Sequence, residues 1–203
     1  MKRSVYLVAF IGLVLGIAAA ALPSPAAAQD LHPSRRPSPM GMARTTVGDT
    51  YISVVYSRPY KRGRDNIFGT EESEALVPYG KIWRTGANEA TQITLTGDVM
   101  VFDHKLPAGT YSIFTTPGPD SWKIHFNTAL GLSGTGFFDP VEQKFEAVEL
   151  GPTDLVVIKA TSGVLEEEVE QLTFAFDDTA GGANMCLRWI TTEVCVPIKA
   201  AGN

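Results

Sequence analysis

The chain has 203 residues, a formal net charge of −5 and 44% hydrophobic residues. That length is enough for one domain with a sizeable core. The acidic balance argues against a nucleic-acid binder, which needs a basic surface to neutralise phosphates. It also leaves no cationic amphipathic helix for an anionic membrane surface.

Residues 1–28 have the three-part layout of a secretory signal peptide. Lys2 and Arg3 give a basic start, "VYLVAFIGLVLGIAAAA" is an uncharged apolar run, and "PAAAQD" offers an A-x-A site with cleavage after Ala28. The apolar run approaches the roughly 20 residues of a membrane helix, but small residues fill its end and no basic stop-transfer follows. The expected product begins at Gln29, is periplasmic or secreted, and is not an integral membrane protein after cleavage. Residues 29–41, "QDLHPSRRPSPMG", read as a flexible linker rich in Pro, Ser and Arg.

From residue 42 to 203 the chain reads as a single domain. "TYISVVYS" sets Ile52, Val54 and Tyr56 on one side of a strand, and "TQITLTG" does the same with Ile93 and Leu95. "DVMVF" and "TYSIFTT" follow, joined by "DHKLPAG". In "SWKIHFN", Trp122, Ile124 and Phe126 face one way and Lys123 and His125 the other. "KFEAVEL", "LVVIKA", "QLTFAF", "NMCLRWI" and "TEVCVPI" complete the series. Period-two alternation in short runs, broken by Gly and Pro turns, predicts an all-β fold. The expected architecture is a single antiparallel β-sandwich, jelly-roll-like, with little helix. Only residues 69–82 and 138–145 have room for a helical turn or short helix. The acidic run "LEEEVEQ", residues 165–171, reads as a solvated strand edge, because adjacent carboxylates on a strand point in different directions.

Two segments collect recognition chemistry. In "YSRPYKRGRDNIFG", residues 56–69, Arg58, Lys61, Arg62 and Arg64 fall close together in an acidic chain. Such a basic locus on an acidic body favours an anion or polyol site. In "VPYGKIWRTGANEATQ", residues 77–92, two turn signals flank Tyr79, Lys81, Trp83 and Arg84. Gly86 suits a backbone other residues resist, and Asn88 can bond nearby backbone. The arginine fork suits a carboxylate or phosphate, Trp83 and Tyr79 offer stacking faces, and Glu89 can orient a ligand. The competing structural reading has Trp83 plugging the sandwich end, Arg84 paired with Glu89, and Asn88 capping a turn.

Catalytic signatures are sparse. His32 falls in the linker, His104 in a hairpin turn, and His125 on the polar face of its strand, the usual place of a surface or hydrogen-bonded histidine. H-E-x-x-H, G-x-S-x-G and phosphate-cradling glycine loops are missing. No cofactor and no metal set is therefore expected. Cys186 and Cys195 are too few, without histidine partners, for zinc. In an oxidising compartment they suggest a disulfide. A hairpin turning at Ile190 and Thr191 would set Cys186 opposite Cys195, although Ile-Thr is a poor two-residue turn.

The segments "YSRPYKRGRDNIFG", "LVPYGKIWRTGANEAT", "LPAGTYSIFTTPG", "WKIHFN" and "LRWITTEVCVPI" together resemble the bacterial DUF2911 family, a domain of unknown function. The resemblance covers roughly residues 38–198 and implies an exported β-rich domain, with no activity or catalytic set to carry over. The family's first loop usually reads K-G-R. Here Lys61-Arg62-Gly63-Arg64 is one basic residue longer.

The expected function is binding of a small anionic or sugar-like ligand by Arg58, Arg62, Arg64, Tyr79, Trp83, Arg84, Asn88 and Glu89. Two alternatives stay open: a carbohydrate or ester hydrolase of the envelope using Glu89, and a structural or partner-binding envelope protein.

Overall fold

The computed structural model describes residues 36–139 and 141–202. The expected signal peptide and most of the expected linker lie outside them. Thirteen strands follow in chain order: β1 (Met40–Val47), β2 (Thr50–Ser57), β3 (Phe68–Gly69), β4 (Val77–Pro78), β5 (Thr91–Leu95), β6 (Val99–Val101) and β7 (His104–Leu106). They continue with β8 (Gly109–Thr116), β9 (Ser121–Asn127), β10 (Gly136–Asp139), β11 (Lys144–Ala147), β12 (Asp154–Thr179) and β13 (Gly182–Ala200).

Nine strands form one sheet in the order β1-β2-β5-β8-β9-β12-β13-β6-β7, and every pairing in it is antiparallel. β12 is the pivot. Its first part, Asp154–Thr161, pairs with β9, and its later part pairs with β13. The register shifts between Val164 and Val169 and again before Thr173. Such irregularities bend a strand and increase its twist, and here they fold the sheet over on itself. The chain beyond β2 then meets β12 at mid-length, with Leu172 N donating to Pro59 O at 3.0 Å and Lys61 N to Glu170 O at 2.8 Å.

The alternating apolar residues fill the space this fold encloses. Ile52, Val54, Ile93, Trp122, Phe126, Leu172, Trp189 and Ile198 are all buried in one cluster. A smaller cluster, Ala90, Phe114, Leu132 and Leu150, lies on the opposite face of β8, where the segment after β9 covers the sheet.

The two stretches with room for a helix are built otherwise. Phe68–Gly69 and Val77–Pro78 pair in parallel, and Phe138 and Asp139 pair antiparallel with Phe145 and Lys144. Short-range backbone pairing satisfies these segments without a helical turn. β1 begins at Met40, opposite Ser57, so strand pairing starts within the stretch expected to be linker.

β13 also turns back on itself. An extended strand would separate Cys186 and Cys195 by roughly 30 Å, but their Cα atoms are 4.1 Å apart. Ile190 takes the bend with φ of 51°. The two sulfurs are bonded, and Arg188 Nε donates to Glu193 Oε1 at 2.6 Å one step nearer the turn. Asp177 also pairs with Arg188, so the carboxylates beside the disulfide converge on a guanidinium.

Candidate functional site

The segment carrying Trp83 and Arg84 is pinned to β8. Trp83 N donates to Thr115 O at 2.7 Å, and Thr115 N donates back to Trp83 O at 2.9 Å. Alternation then sends neighbouring side chains to opposite faces. Trp83 points inward, against Phe68, Trp122 and Trp189. Arg84 and Ile82 point to the other face.

The turn that follows fixes this placement. Trp83 Nε1 donates to Gly86 O at 3.0 Å, and Thr91 Oγ1 donates to Thr85 O at 2.8 Å. Gly86 is required by space: a Cβ there would lie 2.9 Å from the Ser57 carbonyl oxygen. The left-handed backbone falls instead on Thr85 and Asn88, each with φ of 57°. For β-branched Thr85 that conformation costs energy. It is held by complete burial and by a 3.1 Å hydrogen bond to Thr115 Oγ1.

Arg84 lies in an open cleft of about 420 Å³. Ile82, Arg84 and Asn88 form one wall, and Ser133, Gly134, Thr135 and Phe145 form the other. The walls are joined by Gly134 N donating to Asn88 O at 3.2 Å. Arg84 Nε is buried, with no acceptor among the described residues. Burial lowers the guanidinium pKa, the direction expected of a cation removed from water. Its expected partner is engaged elsewhere, since Glu89 forms an ion pair with Arg36.

Burial pushes the Glu89 pKa up, but the Arg36 hydrogen bond, its own backbone N–H and Ser57 outweigh that, and the net shift is downward. A lowered carboxylate pKa stabilises the fold fully above the ordinary glutamate value and loses that contribution as pH falls through the folded value. Glu89 is half-exposed, so Glu89→Gln is expected to cost less than about 1 kcal/mol at neutral pH. Urea titrations of both proteins should converge as acid protonates Glu89. A difference that persists into acid would assign the loss to packing instead.

The basic side chains of the first segment do not line this cleft, although its Ser57 Oγ accepts from Asn88 Nδ2 at 3.2 Å. Arg58 donates from Nε to Leu172 O at 3.1 Å and from Nη2 to Thr173 Oγ1 at 3.0 Å. Arg62 donates to Pro37 O at 2.7 Å, and Arg64 to Tyr60 O at 2.5 Å. The acidic run faces them: Lys61 pairs with Glu168 at 2.8 Å, and Arg62 N donates to Glu170 Oε1 at 2.9 Å. Tyr79 is half-buried, with its backbone N–H on Gly69 O at 2.7 Å. The structure thus brings Arg84, Asn88 and one edge of Trp83 to the cleft, with Glu89 beside them. Arg58, Arg62 and Arg64 gather around β12. The wall of residues 133–135 was missed from sequence, where Gly131 and Gly134 in "GLSGTG" were its only signal.

Inside the fold, the void lined by Ile113, Trp122 and Phe174 measures only about 10 Å³. It holds at most one water. Among the described residues, no helix is long and apolar enough to cross a membrane.

No curated protein and no solved structure matches this chain. A family model described as DUF2911, protein of unknown function, matches residues 38–198, most of the chain, and the protein belongs to that family.

Proposed function

We propose that this domain binds a small anionic or sugar-like ligand in the cleft at Arg84. The observation that carries the reading is the buried Arg84 Nε, which has no acceptor among the described residues. Leaving such a donor unpaired is costly, and an oxyanion or hydroxyl in the cleft would satisfy it. The Ser133 and Thr135 hydroxyls supply further polar groups and Phe145 an apolar face, while Asn88 Nδ2 is held by Ser38 O and Ser57 Oγ and serves to fix the wall. Glu89, ionised and ion-paired, suits orientation of a ligand better than service as a general acid.

The domain acts as an exported protein in this reading. The leader at residues 1–28 and a disulfide suited to an oxidising compartment both support export.

A panel of oxyanions (inorganic phosphate, small dicarboxylates and uronic acids) tested by calorimetry decides the matter. A member of the panel should bind the wild type. Arg84→Ala should weaken that binding at least about tenfold, near 1.5 kcal/mol for a charged hydrogen bond. A lower melting temperature with unchanged affinity would reject the assignment and leave Arg84 as a brace.

A further inference from the structure

Outside the Arg84 cleft, three strands bring a hydroxyl, an imidazole and a carboxylate into line. Thr116 ends β8, His125 lies in β9 and Asp154 opens β12. His125 Nδ1 is 2.7 Å from Asp154 Oδ2, and His125 Nε2 is 3.1 Å from Thr116 Oγ1. With the Asp154 carboxylate as acceptor, Nδ1 is the donor of that bond, and Nε2 is the ring nitrogen that faces the Thr116 hydroxyl. The carboxylate is fixed from behind by Asn127 Nδ2, which donates to Asp154 Oδ1 at 2.7 Å. Asn127 is fixed in turn by Leu150 O at 2.9 Å and Ala129 N at 2.8 Å. A register shift between Asp154 and Val156 interrupts the β9–β12 ladder at this point. Such a bulge re-aims a side chain.

We infer that Thr116 is the nucleophile of an acyl-transfer site, with His125 as its base and Asp154 as the residue that positions the imidazole. These are the roles of the serine–histidine–aspartate arrangement, which is recognised by geometry and not by fold or sequence order. A histidine buried only for stability would be enclosed at both ends. Here the inner members are closed off, with the His125 and Asp154 side chains each 11% exposed, while the hydroxyl end is half-buried. Thr116, half-buried at the end of the row, is the one that would attack.

The neighbours select the substrate. Lys123 is the direct cross-strand partner of Thr116, and Lys159 is the partner of Lys123. Both lysines are exposed and have no ion pair with a carboxylate among the described residues. Two like charges side by side on a sheet are unfavourable unless an anion lies between or above them. A carboxylic ester bearing negative charge fits this row, and a nearby ammonium also stabilises the oxyanion of the tetrahedral intermediate.

The reaction balances with water as the only co-reactant. Thr116 Oγ bonds to the ester carbonyl carbon, and its proton passes to His125 Nε2. The ester C–O bond breaks, and the departing alkoxide takes that proton. Water then adds to the acyl carbon, losing a proton to His125. The bond to Thr116 Oγ breaks, the oxygen recovers the proton, and a carboxylic acid leaves. Arg84 has no part in these steps, so the inference stands independently of the cleft.

The test uses 4-nitrophenyl acetate and its anionic analogue 4-nitrophenyl hemisuccinate. Wild type should release nitrophenolate and carry the acyl group on the peptide containing Thr116, with the hemisuccinate preferred. Thr116→Ala and His125→Gln should abolish that adduct, and Thr116→Ser should restore it. Asp154→Asn should slow acylation about a hundredfold and change its pH profile, because the imidazole loses the partner that sets its tautomer. Lys123→Ala should erase the preference for the anionic ester. Circular dichroism and the melting curve of each variant identify failure to fold, and Thr116→Ser keeps the test valid if Thr116→Ala is unstable. Acylation only on lysines, or equal rates in folded wild type and Thr116→Ala, would overturn the assignment.

Discussion

Trp83→Ala is expected to lower the unfolding free energy by about 3 kcal/mol, the lower end for removing a large buried aromatic. Trp83 is stacked on Trp189, with ring centroids 6.1 Å apart and planes at 18°. Its edge contacts are Phe68 at 5.9 Å and Trp122 at 6.3 Å. Trp189 and Trp122 are among the largest fully buried side chains of the domain, so the alanine variant opens a cavity against rigid neighbours. The lower end applies because Trp83 itself is only half-buried and one edge borders the cleft. Trp83→Phe keeps most of the ring and loses the Nε1 hydrogen bond to Gly86 O; about 1 kcal/mol is expected from that loss. Urea unfolding of the three proteins measures both quantities. A tryptophan whose main work is to stack on a ligand would behave differently. Its alanine variant would lose affinity and less than about 1 kcal/mol of stability, as surface substitutions do, and that outcome would place the ring outside the core.

The sequence carried the strands well because each has a strict local signature. In "SWKIHFN" the alternation of Trp122, Ile124 and Phe126 with Lys123 and His125 matches the buried and outward faces of β9. What it could not carry was the partner of each outward face. His125 reads as a polar-face residue, yet the segment after β9 covers that face and leaves His125 9% exposed. Its carboxylate lies 29 residues along the chain, on a strand brought alongside only by the sheet order. The basic segment shows the same limit. Lys61 looks unneutralised locally, but its carboxylate partner Glu168 lies 107 residues away on β12, and Arg58 meets only the neutral Leu172 O and Thr173 Oγ1 there. Local composition registers a charge excess; only topology decides whether it is cancelled. The reverse holds at Arg84, where Glu89 is near in sequence and is turned instead to Arg36. Gly86 gives a finer example. Its presence in "RTGAN" signals a turn, but the sequence cannot distinguish a need for positive φ from a need for space beside Ser57.

Opening the Cys186–Cys195 bridge is expected to cost about 2–3 kcal/mol, from the chain entropy of closing a loop of roughly ten residues in the unfolded state. The bridge ties the two arms of β13 across the bend at Ile190. Ile190 is β-branched with a positive φ, so the turn itself does not favour folding back. The arms must be held by what lies beside the turn. Three sets of contacts do this: the disulfide, the Arg188–Glu193 pair, and the packing of Leu187, Trp189, Val194 and Val196 in the core. The Arg188 pair is half-exposed and contributes modestly, so the bridge and the core carry the hairpin. Because the bridge acts on the unfolded chain, Cys186→Ala with Cys195→Ala should lower the denaturation midpoint without changing the folded spectrum. Reductant should shift wild type toward the same midpoint and leave the double variant unmoved. If reduced wild type, with both thiols titrated, unfolds at the oxidised midpoint, the core packing alone holds the arms together.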